Sequence, residues 1–125
     1  MVGARSHRDL VVWQKAMDLA VMTYELTKEL PKSELYGLTS QLQRAATSIA
    51  ANIAEGNARR TRKDYAHFIT MARASAVEVD TLFEIAVRVG RLDKGSVAPA
   101  MALSDEVSRM LFALRNKLEQ EGEAN

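Results

Sequence analysis

Apolar side chains recur along this chain at intervals of three and four, and Pro31, Gly56 and Gly90 interrupt the rhythm. The pattern predicts four helices, at about 9–30, 34–55, 61–89 and 96–120. In the second, Leu42, Ala46, Ile49 and Ile53 share one face, which Leu35 and Leu38 extend upstream. Ala45, Ala50, Ala51 and Ala54 run beside it, small enough for another helix to approach closely. A third strip holds Gln41, Arg44, Ser48, Asn52 and Glu55. A helix occupied on three sides reads as an inner helix, with Gly56 as the left-handed residue that ends it. Its polar strip reads as a seam between helices or subunits, in which Arg44, Asn52 and Glu55 satisfy one another. The rival reading, a ligand or catalytic site, lacks an accompanying nucleophile and base.

Helix one, with Asp9 as N-cap, carries two apolar stripes. Leu10, Trp13, Met17, Val21 and Tyr24 form one; Val12, Leu19, Leu26 and Leu30 form another, nearly opposite. One small bundle cannot easily bury both. Val12, Leu19 and Leu26 are therefore expected on an oligomer face, the alternative being a deep groove within one bundle. Ser33 is expected to cap helix two and Ser96 helix four, with Pro99 in the first turn of the latter. Thr61 and Asp64 form a capping-box variant at the start of helix three. The apolar stripe of that helix is Tyr65, Phe68, Ile69, Ala72, Ala76, Val79, Phe83, Ala86 and Val87, and Gly90 ends it. Short connections between four helices predict an all-α, antiparallel up-down-up-down four-helix bundle over residues 9–121. Residues 1–8 read as a loose leader and 122–125 as a frayed tail.

Composition narrows the function. A chain of 125 residues suits one domain, and its formal charge of +1 provides no global pull toward nucleic acid. The absence of cysteine excludes disulfides and thiolate metal sites and fits a reducing cytoplasm. No apolar run is long enough to cross a bilayer, so no membrane partner is expected. A di-iron bundle needs two Glu-x-x-His pairs; Asp64-x-x-His67 is a lone half-match, and His7 lies in the leader. No metal, cofactor or catalytic residue is expected.

Charge is locally uneven. Arg59, Arg60, Arg62 and Lys63 crowd the second connection, without an acid between Gly56 and Lys63. Cations at a helix start oppose the macrodipole, which leaves two readings: a solvated, solubilising loop, or a site that contacts phosphate or RNA or DNA backbone. No aromatic residue interleaves the cluster, so base stacking is not expected. A ring of copies would multiply these charges around one rim, provided that Glu119, Glu121 and Glu123 point elsewhere.

The segments DLVVWQKAMDLA, ELPKSELYGLTSQLQRAATSIAANIAEGNARRTRKDYAHFI and ASAVEVDTLFEIAVRVG lie within roughly residues 9–92. They resemble the four-helix-bundle proteins encoded in intervening sequences of bacterial 23S ribosomal RNA genes. Gln41, Arg44, Ala45, Ser48, Asn52, Glu55 and Gly56 carry the most specific part of the likeness. The family also includes the accessory protein of diversity-generating retroelements. The resemblance implies a barrel-shaped homopentamer. For the retroelement branch it further implies a basic surface, here Arg59, Arg60, Arg62 and Lys63, that meets nucleic acid and a reverse transcriptase. This chain is more similar to the intervening-sequence branch, for which no activity is implied. The expectation is thus a non-enzymatic, self-assembling bundle with a nucleic-acid-binding surface. The alternative is a scaffold for a partner protein.

Overall fold

A computed structural model describes residues 6–124. Among these residues there are four α-helices and no strand: α1 (Val11–Thr27), α2 (Ser40–Asn57), α3 (Arg62–Arg88) and α4 (Lys94–Ala124). They form an antiparallel four-helix bundle. α3 packs extensively against both α2 and α4, while α1 closes the bundle with slighter contacts to α2 and α4.

Helix three follows its sequence most faithfully. The Thr61 hydroxyl accepts from the Asp64 amide at 3.1 Å, fixing the first turn. Tyr65, Ile69, Ala72, Ala76, Val79, Phe83 and Ala86 are buried along its inner face. Gly90 follows with φ +76°, a left-handed conformation that costs glycine little. On α4, Ala100, Val107, Leu111 and Leu118 complete the core.

The start of α2 departs from expectation. Lys32–Glu34 form a 3₁₀ turn and Leu35–Thr39 a wide π-type turn, with non-helical torsions at Gly37 (φ −113°, ψ −109°). Regular helix begins only at Ser40, and Ser33 does not cap it. Leu35 is consequently exposed rather than part of the α2 core face. Gly56 is not a left-handed terminator either: it lies inside α2, where α3 passes very close.

Two further caps shift. Asp93, not Ser96, caps α4, its carboxylate accepting from the Gly95 and Ser96 amides at 3.0 and 3.3 Å. Pro99 therefore lies beyond the first turn. At the other end of the chain, His7–Asp9 form a 3₁₀ turn in which the Ser6 hydroxyl accepts from the Arg8 amide. The His7 ring meets Trp13 edge-on at 4.9 Å, so this part of the expected leader is packed. Residues 1–5 and Asn125 lie outside the described residues, and the expected frayed tail is helical through Ala124.

The largest correction concerns α1. Val12, Leu19 and Leu26, expected on an oligomer face, are core residues at 5%, 0% and 9% exposure. Ala16 and Thr23 complete that buried stripe, and their small size lets α1 settle onto its neighbours. Thr23 satisfies its hydroxyl by donating to the Leu19 carbonyl at 2.8 Å. Lys15 pairs with Glu106 of α4 at 2.7 Å, and Gln43 of α2 donates to the Thr27 hydroxyl at 3.1 Å. These contacts turn the bulkier stripe outward. Met17, Val21 and Tyr24 are exposed, and Trp13 is half-buried.

A half-buried acid marks the α3–α4 seam. Asp80 faces Ser104, which lowers its pKa, but burial dominates and raises it, with Asp105 and Glu84 adding repulsion. Its Oδ1 is buried without a hydrogen-bond partner. Above the ordinary carboxylate pKa the unfolded chain gives up this proton while the folded chain still holds it. Stability therefore falls as pH rises through the window between the two values. Asp80→Asn is expected to raise the thermal midpoint by a few degrees at neutral pH. In melts at about pH 3, where both states keep the proton, that gain should disappear.

Candidate assembly face and nucleic-acid interface

Two surfaces carry the exposed groups that the sequence singled out. The first begins on α1 with Met17, Val21 and Tyr24 and continues onto the irregular connector through Leu35 and Tyr36. Between Tyr24, Tyr36 and the first turns of α2 lies an open groove of about 670 Å³, lined also by Gln43, Arg44 and Thr47. These apolar side chains are too large and too numerous on one flank to be incidental surface leucines and valines.

The polar strip of α2 borders this groove, and only part of it is a seam between helices of the chain. Asn52 donates to the Ser48 carbonyl at 2.9 Å and to its hydroxyl at 3.0 Å, and Ser75 of α3 donates to the same hydroxyl at 3.0 Å. That portion stitches α2 to α3. Gln41, Arg44 and Glu55 instead face solvent, 11 residues separating the two charges along the helix. Arg44 and Glu55 do not satisfy each other within the chain. α2 is thus an outer helix with one exposed face, not an inner one.

The second surface is the end where α2 passes into α3. Arg59, Arg60 and Lys63 are exposed there, and Arg62 is half-buried. Their surroundings differ from expectation in two ways. The Arg59 guanidinium lies 4.4 Å above the Phe68 ring, so an aromatic group does accompany the cations in space. The acidic end of α4 does not point away: Arg62 Nε donates to Glu121 at 3.0 Å. Lys63, His67 and Glu119 line one shallow pocket beside that pair. The Glu123 side chain lies outside the described residues.

A basic-aromatic group that sequence reasoning missed occurs on the α3–α4 flank. Arg73 and Arg115 place their guanidinium carbons 4.9 and 5.6 Å from the centre of the half-exposed Phe112 ring. Phe112 and Arg115 are three apart on α4, a spacing that flags contact, but Arg73 reaches the ring only through the fold. Among the described residues no three His, Asp or Glu side chains converge as metal ligands, and no helix is long and apolar enough to cross a membrane.

Helix order and packing define the chain as an antiparallel four-helix-bundle protein. Within that class it belongs to the 23S rRNA-intervening sequence protein family, which it matches over residues 8–113. The fold is similar to that of a protein of unknown function from the S23 ribosomal protein family of Bacteroides thetaiotaomicron VPI-5482. The TM-score is 0.78 at 25% sequence identity, covering 84% of this chain and 98% of that one. No curated protein matches the sequence.

Proposed function

We propose that this chain is a non-enzymatic helical bundle that assembles with copies of itself through the outer flank of α1, and that the assembly presents cations to RNA or DNA backbone. The observation that carries the assembly is the unbroken exposed row Met17, Val21, Tyr24, Leu35 and Tyr36. The solvent-facing strip of α2 adjoins it, with Ala51 and Thr47 small enough for a close neighbour. Five copies in a barrel is the number that the family resemblance implies.

For nucleic acid, the support is Arg59, Arg60 and Lys63, none of which forms an ion pair among the described residues, while Glu121 occupies Arg62. Phosphate contacts of this kind position a protein without reading sequence. Single-stranded RNA, titrated at several salt concentrations, should bind more weakly as salt rises. Changing Arg59, Arg60, Arg62 and Lys63 together to Gln should flatten that dependence by about 0.7 in log–log slope for each phosphate no longer neutralised. Unchanged binding in the substituted protein, or no binding at all, rejects the nucleic-acid role. The Arg62–Glu121 pair favours the second reading, a scaffold whose exposed α1 flank seats a partner protein and whose basic end stays closed.

A further inference from the structure

We propose that Tyr36 is the residue that locks one copy to the next, its ring entering the groove between α1 and α2 of a neighbouring copy. This rests on the self-assembly reading and assigns its key contact. Tyr36 is 94% exposed, the most exposed large apolar side chain among the described residues. Among the described residues it has no hydrogen bond or ring contact.

The backbone explains this placement. Gly37 breaks the helical torsions directly after Tyr36, and the wide turn from Leu35 to Thr39 carries both apolar side chains off the inner face of α2. Glu34, at the base of that turn, is tied to Arg91 at 3.4 Å, which anchors the connector against the opposite hairpin. A held backbone with a fully presented aromatic ring loses little conformational freedom on association.

The receiving groove has the complementary chemistry. Tyr24, Leu35 and the receiving copy's own Tyr36 supply apolar walls, while Arg44 supplies a guanidinium with no ion pair or hydrogen bond among the described residues. An uncompensated cation favours the electron-rich face of an aromatic ring, and a phenol can bury its ring while its hydroxyl finds a polar partner. Gln43 and Thr47 on the same wall provide such partners. Ring and groove belong to one continuous surface, so two copies of this chain hold both halves of the contact. Tyrosine and arginine are also the side chains that most often dominate such contacts.

The natural chain has no cysteine, which makes a cross-linking test clean. Tyr36→Cys protein mixed with Thr47→Cys protein should give a disulfide-linked dimer on a non-reducing gel. Tyr36→Cys mixed with Arg88→Cys, on the outer side of α3, should not. In light scattering, Tyr36→Ser should reduce the assembly to a single chain at concentrations where wild type is assembled, with the thermal midpoint of the separated chain preserved. Arg44→Gln should weaken assembly by about five- to thirtyfold, as expected for loss of a desolvated cation–π contact. If Tyr36→Ser assembles as wild type does, or if the mixed disulfide fails to form, the Tyr36 lock is wrong while assembly through α1 stands. A wild-type chain that is itself a monomer overturns both.

Discussion

Leu19→Glu is expected to unfold the protein, whereas Val21→Glu, two residues away on the same helix, is expected to leave a folded but solitary chain. Leu19 is wholly enclosed between α1 and its neighbours. Truncating such a leucine costs roughly 2–5 kcal/mol. A carboxylate there must also be desolvated without a partner or take up a proton. Against a total stability of roughly 5–15 kcal/mol for a domain of this size, that loss is decisive. Val21 is 60% exposed, so glutamate there should change the stability of a single chain by no more than about 0.5 kcal/mol. Circular dichroism melts and light scattering on the two variants separate the outcomes. A folded, dissociated Leu19→Glu protein would show that the stripes of α1 are assigned the wrong way round.

The second large effect is expected at Gly56. In most helices alanine is favoured over glycine by about 1 kcal/mol. Here a Cβ would stand 2.9 Å from Cβ of Phe68, 3.0 Å from Cδ1 of Tyr65 and 3.3 Å from the Tyr65 carbonyl oxygen. Tyr65 is buried and cannot swing away, and a backbone oxygen can yield only if α3 moves. Overpacking of this kind costs roughly 1–3 kcal/mol, enough to reverse the helix preference. Gly56→Ala should therefore lower the denaturant midpoint. A midpoint at or above that of wild type would mean that α2 and α3 separate more readily than their packing indicates.

How far these features were legible varies with their physical origin. The limits and most of the inner face of helix three could be read because an apolar stripe, an N-cap hydroxyl and a terminal glycine agree, although Ala66 and Leu82 are also buried and Phe68 and Val87 only partly so. Helix one could not be oriented, because its two stripes are similarly apolar. What separates them is size: Ala16 and Thr23 mark the side that fits against other helices, while Trp13, Met17 and Tyr24 mark the side that does not. The delayed start of α2 follows from torsions at one glycine, which an apolar count does not register. At the candidate interfaces, Arg59 to Lys63 stand out as a run in the sequence. Their partners Phe68 and Glu121 do not, since Glu121 is 59 residues from Arg62 and meets it only once α4 lies back along α3. Arg44 was visible as part of a polar strip, but only the fold shows that its guanidinium borders an apolar groove.

The slight grip on α1 has a consequence for how the molecule lives with its neighbours. α2 and α4 both pack closely on α3 and are joined to it by short turns, while the first helix arrives through the long connector 28–39 and makes thinner contacts. Such a helix is the natural place for the chain to breathe. In the proposed assembly its outer flank is also the surface that meets another copy. A copy seated there would therefore act as a splint, clamping the helix that the rest of the chain holds least firmly and coupling its rigidity to protein concentration.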